Sequence, residues 1–223
     1  MSIFQAIIRL AINFARNSMS TILYYFHDPM CSWCYAFQPV WQDVKTSLHE
    51  NIEVTYVLGG LAPDDDEAMP VSLQQTIQHH WRRIQQVVPG TEFNFDFWTT
   101  CRPQRSTWPA CRAVIAASNQ GRAGEESMIQ AIQEAYYREA RNPSDYSTHF
   151  ELAESCQLDM LRFRNDLNSP ETEQELMRQI HFTRASGVSG FPALLLSGKD
   201  QQHSLTIDYA SADSILKQIV GVL

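Results

Sequence analysis

Positive charge is scarce in this chain: 17 Lys and Arg stand against 25 Asp and Glu, a formal net charge of -8 over 223 residues. Nucleic-acid binding needs a basic face, so that class of partner is not expected. Lysine is confined to Lys45, Lys199 and Lys217. Long apolar runs are missing as well, and none reaches the roughly 20 residues that cross a bilayer, so no transmembrane segment is expected. There is no internal repeat and no low-complexity tract. Cysteine occurs in an odd number, five, which rules out a fully paired secreted framework within one chain. What is present, 44% hydrophobic and 19% charged residues, is ordinary for a globular protein with a generous core.

Residues 1–19 read as an N-terminal extension. Ile3, Phe4, Ile7, Ile8, Ala11, Ile12 and Phe14 fall at amphipathic helical spacing. Arg9 interrupts the stretch and no small-residue cleavage site follows, so no secretion signal is expected. Met19 is an alternative start. Without a secretion signal, the expected compartment is the cytoplasm.

Cys31-Ser32-Trp33-Cys34 carries the chemistry. It follows the β-rich run Thr21-Ile22-Leu23-Tyr24-Tyr25-Phe26 and precedes the helical segment from Tyr35 to about Leu48. A thiol at a strand-to-helix junction meets unpaired backbone N–H groups and the positive end of the helix dipole. Both favour the thiolate, the form that attacks disulfides. Cys34 lies one turn further on the same face and can close a ring on Cys31. A structural zinc needs a second ligand pair nearby. His27 could add a third ligand but a fourth is missing, so no metal is expected. Cys101, Cys111 and Cys156 read as buried or partly buried thiols, with Cys101–Cys111 pairing left open. Asp28 reads as an Asx-type turn former ahead of Pro29, and His27 as a structural strand-end ring.

Ile52 to Leu58 is a second strand closed by Gly59-Gly60, which completes a β-α-β unit. The run Asp64-Asp65-Asp66-Glu67 reads as solvated surface. Helical periodicity then dominates: Val71 to Val88; a helix capped by Ser106 or Thr107 and running through Asn119; Glu125 to Arg138; Ser147 to Ser155; Leu158 to Asn168; and Pro170 to Ala185. Strands return at 193–196 and 203–207 as a hairpin, and Ser211 caps a last helix from Ala212 to Val222. A helical block of this length cannot be a loop. Residues 20–62 and 187–223 are therefore expected to form an α/β domain, with 63–186 as an inserted helical subdomain.

Strand-CxxC-helix-strand, helical insert, then Gly190-Phe191-Pro192 before a strand resembles the DsbA-like branch of the thioredoxin superfamily. The likeness rests on Asp28-Pro29-Met30-Cys31-Ser32-Trp33-Cys34-Tyr35 and Gly187-Val188-Ser189-Gly190-Phe191-Pro192-Ala193, and covers about residues 20–222. It is greatest to the predicted disulfide isomerases of that family. It implies an α/β thioredoxin-like fold with a large all-helical insertion. Read alone, Phe191-Pro192 would be trans; the resemblance implies a cis bond facing the CxxC, with the backbone of Phe191 offered to a bound peptide. Cys31 and Cys34 are then the catalytic pair, with Cys31 the exposed nucleophile and Cys34 the buried resolving thiol. Trp33, Phe191 and Pro192 would bind substrate, although Trp33 could equally cap the local core. Partners would be protein or peptide thiols and disulfides, with no cofactor beyond the cysteine pair. Ser32-Trp33 replaces the Pro-His of the periplasmic oxidant, and Phe191 replaces a smaller β-branched residue. Both changes argue against strong oxidising power.

A rival resemblance is to kappa-class glutathione transferases and hydroxychromene-carboxylate isomerases. It implies bound glutathione, with Ser106-Thr107 through Arg112 facing the ligand. A third class is a non-catalytic module that holds peptides in the cleft.

Overall fold

The computed structural model describes residues 21–199 and 201–223. The proposed extension 1–19 and the Met19 start lie outside the described residues. Four strands, β1 (Thr21–His27), β2 (Ile52–Leu58), β3 (Ala193–Ser197) and β4 (Gln202–Leu205), form one sheet in the order β2-β1-β3-β4. β1 and β2 run parallel, Thr21 opposite Ile52 through His27 opposite Leu58. β3 is antiparallel to β1, and β4 to β3. β1 is flanked on both edges, and its C-terminal residues Tyr25, Phe26 and His27 are all buried. A strand covered on both faces needs a continuous apolar run instead of alternation.

Helix α1 (Ser32–Ser47) crosses between β1 and β2. It buries Cys34, Phe37, Trp41 and Val44 at the spacing of one helical face. Trp41 packs at a tilt against Tyr25, ring centroids 4.6 Å apart, and its Nε1 donates to the Tyr56 hydroxyl at 3.0 Å. That aromatic layer ties the helix to both parallel strands, which fixes where its N-terminus ends up.

Between β2 and β3 lie α2 (Val71–Val87), α3 (Phe97–Thr100), α4 (Trp108–Ser118), α5 (Arg122–Tyr137), α6 (Tyr146–Ser155), α7 (Met160–Leu167) and α8 (Pro170–Ala185); α9 (Ala212–Val222) closes the chain. α4 is buried from Pro109 through Ala117. Apart from Arg112 this stretch is apolar on every side, as suits a helix inside a protein. Ala110, Cys111 and Ala113 to Ala117 share one core with Leu23, Tyr25, Phe37 and Trp41. Helix and sheet therefore pack as one continuous interior.

Several element ends differ from the expectations. α5 begins at Arg122, not Glu125. The helical Gly124 is tolerated because a Cβ there would lie 2.7 Å from the Ala117 carbonyl of α4, so only glycine permits this approach. α7 begins at Met160 because Asp159 accepts from the N–H groups of Leu161 and Arg162. β4 stops at Leu205, since the Gln218 side chain of α9 pairs with both backbone groups of Thr206. The single turn α3 was not expected.

Candidate active site

Cys31 is the N-cap residue of α1, with extended backbone angles and the helix beginning at Ser32. The turn ahead of it is held by Asp28: its Oδ1 accepts from the Met30 N–H at 2.8 Å, and the Cys31 N–H donates to the Asp28 carbonyl at 3.0 Å. This is the expected Asx turn, and it aims the Cys31 thiol at the strand side of the molecule. There the thiol donates to the Phe191 carbonyl at 3.5 Å, 160 residues away in sequence. Phe191-Pro192 is cis, as the resemblance implied and the sequence alone did not. Both cysteines are free thiols.

Exposure corrects one expectation. Cys31 is only 8% exposed, so the expected exposed nucleophile is a buried residue. The Phe191 carbonyl on its thiol contributes to the cover. Cys34 is fully buried, as expected. Burial pushes its thiol well above the ordinary range, and the hydrogen bond and charge of Cys31 push the same way. The backbone of Asp28 draws it back while the Asp28 charge raises it, so the two residues are in close contact.

The expected substrate groups divide. Trp33 is half-buried with its ring 5.2 Å from Tyr209, which itself packs edge-on to Phe37, so one face of Trp33 is anchored in the core. Pro192 is buried. The Phe191 ring lies over Gly59, where an added Cβ would come 1.8 Å from its Cζ. Its side chain is thus packed with Phe26, Val57 and Leu195, and the part it offers to the centre is its carbonyl. A groove of about 550 Å3 opens along α1, lined by Tyr35, Pro39, Val88, Pro89 and Tyr209 among others.

The sequence reading missed what lies behind the pair. Asp28 is fully buried, and its Oδ2 accepts from the Leu61 N–H and the Thr107 hydroxyl, both at 2.8 Å, with the Cys111 Sγ at 3.7 Å. Burial raises the carboxyl above its usual range, and the hydrogen bonds from Leu61, Thr107 and Met30 oppose that rise. The motif showed the turn-forming half of Asp28. The other half appears only once α4 is packed behind it. Thr107 occupies the N-cap position of α4 but makes no side-chain cap, contrary to expectation, because its oxygen is spent on Asp28 and on the Ala62 N–H. Cys111 and Cys101 are both free. His27 is buried and stacked on Tyr25; neither ring nitrogen has a hydrogen-bond partner, and burial lowers its pKa to about 3.

The residues suggested for glutathione are enclosed. Ser106 and Thr107 are buried, and Arg112, 7% exposed, is bound by Asp64 and Glu173. Ser106 and Arg112 line a cavity of about 710 Å3 together with Asp64, Asp65, Asp66 and Asp145. That acidic lining is poorly matched to a ligand carrying two carboxylates. Among the described residues, no cluster of His, Cys, Asp and Glu is arranged to hold a metal, and no helix is long and apolar enough to cross a membrane.

A family model described as thioredoxin matches residues 24–218. A crystal structure from Nitrosomonas europaea, provisionally named a protein disulfide isomerase, superposes with a TM-score of 0.78 at 25% identity, covering 91% of this chain and 97% of that one. The cytosolic disulfide reductase DsbM of Pseudomonas aeruginosa superposes at 0.72 with 22% identity, covering 90% and 98%. The ClpXP adapter protein SpxH of Bacillus subtilis is 24% identical over 178 residues, 77% of this chain and 56% of its own length. The chain thus spans little more than half the length of the curated relatives it matches.

Proposed function

The chain belongs to the thioredoxin family with a DsbA-like fold, and on that premise we propose that it reduces or isomerises disulfides in proteins and peptides through Cys31 and Cys34. One observation carries the reading: a helix-capping thiol that faces the Phe191 carbonyl, with a second, buried thiol one turn behind it. The Cys31 thiolate attacks one sulfur of a substrate disulfide. A Cys31–substrate bond forms, the substrate S–S bond breaks, and the released sulfur leaves as thiolate and takes a proton from water. The Asp28 carboxylate then accepts the Cys34 proton. The Cys34 thiolate attacks Cys31 Sγ, the internal disulfide forms, and the second substrate sulfur departs and is protonated. Two electrons have passed from the pair to the substrate, and a thiol reductant restores the pair.

The reducing direction is supported by the absence of an imidazole between the two cysteines. It also fits the naming of DsbM as a cytosolic disulfide reductase, and a cytoplasmic setting belongs to the same proposal. The couple should lie nearer thioredoxin's roughly -270 mV than the roughly -120 mV of a strong oxidant. Equilibration against glutathione buffers measures it, and an oxidant-like potential would overturn the direction. Full disulfide-reducing activity in Cys31→Ser would overturn the whole reading.

Glutathione enters as the thiol reductant in this scheme, a role suggested by the solved DsbM complex with GSH. The SpxH relatives favour a second reading, in which the same face holds a client chain without turnover. Client binding undiminished by simultaneous Cys31→Ser and Cys34→Ser, together with no reductase activity in the unsubstituted protein, would select it.

A further inference from the structure

We propose that the helical block is part of the redox centre: Thr107 and Cys111 of α4 are positioning residues that set how readily Asp28 takes the proton of Cys34. The inference rests on the exchange reading above. Its basis is geometric. Asp28 Oδ2 meets three groups from outside its own turn, and two of them, the Thr107 hydroxyl at 2.8 Å and the Cys111 thiol at 3.7 Å, come from the start of α4. Asp28, Thr107 and Cys111 are all buried, so water does not replace these two contacts.

The Thr107 oxygen accepts from the Ala62 N–H at 3.1 Å, and its single proton has two acceptors in reach, Asp28 Oδ2 at 2.8 Å and the Ala62 carbonyl at 3.3 Å. The shorter, charge-assisted bond to Asp28 is the stronger of the two. A hydroxyl donating to a carboxylate stabilises the charged form and so keeps Asp28 able to accept a proton. Cys111 offers a weaker S–H to the same oxygen. The other titratable or charged groups around the carboxyl are Cys34 of α1, Arg105 ahead of α4, and Tyr136 and Tyr137 of α5. None of these donates a hydrogen bond to Oδ2, so the α4 residues hold the adjustable contacts.

The test uses opposed substitutions in the full chain. Thr107→Val keeps the shape and removes the hydroxyl; Cys111→Ser replaces a weak donor with a stronger one. The Asp28 carboxyl is titrated by carbon NMR in the reduced protein, with no substrate present. In parallel, the pH profile of mixed-disulfide resolution is followed in single turnover. Thr107→Val should raise both midpoints by about one pH unit, Cys111→Ser should lower both, and Thr107→Ser should restore the original values. First attack by Cys31, measured in a Cys34→Ser background, should not change. If Thr107→Val fails to fold, the Cys111→Ser shift decides the matter. Unmoved carboxyl midpoints overturn the inference, as does a moved midpoint that resolution does not follow. The exchange reading fails separately, through a Cys31→Ser variant with full activity.

Discussion

On its outer side the cysteine pair has half-buried Trp33 and Phe191, whose carbonyl meets Cys31 and whose ring lies on Gly59; on its inner side it has buried Asp28, held in turn by buried Thr107 and Cys111. The outer side offers the Trp33 ring and the Phe191 carbonyl, and in the proposed function these receive a peptide of varied sequence. The inner contacts converge on one carboxylate oxygen. Two sulfurs a single helical turn apart therefore face different chemical worlds. The helix supplies their proximity, while the packing around each supplies its task.

The largest effects should come from breaking that division at the sulfurs. Cys31→Ser is expected to abolish disulfide reduction, whereas Cys34→Ser should still make the first attack and then stall as a mixed disulfide visible by intact mass. A Cys34→Ser protein that turns over normally would erase the distinction between the two sides. Next comes the inner carboxylate. Asp28→Asn keeps the turn-forming oxygen but not the base, and should slow resolution on the order of 10²-fold while leaving the first attack intact.

Acid sensitivity sharpens the view of the inner side. Burial lowers the pKa of His27 to about 3 and that of His149 to about 4. Both are neutral when folded, while the unfolded chain protonates them below its ordinary value near 6.5. The unfolded state thus binds more protons as pH falls from 6.5 towards 4, and stability drops through that window. Asp28 has the opposite sign: with its pKa raised in the fold, its contribution is full at low pH and is lost as pH climbs through the folded value. His27→Phe, which also removes two unpartnered buried nitrogens, should flatten the loss of melting temperature between pH 7 and 4.5 and stabilise the fold by about 1–3 kcal/mol. An unchanged pH slope would count against the buried-ring account.

The smallest effect is expected on the outer side. Gly59→Ala must displace the Phe191 ring, and should raise KM for a peptide disulfide a few-fold while leaving the resolution rate unchanged. A fall in resolution rate instead would mean that the two sides are mechanically coupled.

Most of the secondary structure was legible because it rests on local rules. β2 at Ile52–Leu58 and α8 at Pro170–Ala185 match the expected bounds, one from its β-branched and aromatic run, the other from Pro170 at its start. The β1–CxxC–α1 junction was equally plain. Less legible were the ends settled by distant partners, such as β4 against Gln218 and α5 against Ala117. At the site, Cys31, Cys34 and the Phe191-Pro192 edge came from motif and resemblance together. Thr107 was misread because a hydroxyl before a helix has capping as its local use, and nothing nearby in sequence points to Asp28, 79 residues earlier.

By itself the sequence determined the strands, the longer helices and that two thiols share the opening turn of one helix, since strand patterning, helix caps and CxxC spacing act over a few residues. Only the tertiary structure decided that Phe191 faces one sulfur and that α4 closes over the carboxylate behind the other. Burial and long-range hydrogen bonds arise from chain segments meeting in space, and their effect on a proton or a thiol has no signature along the chain.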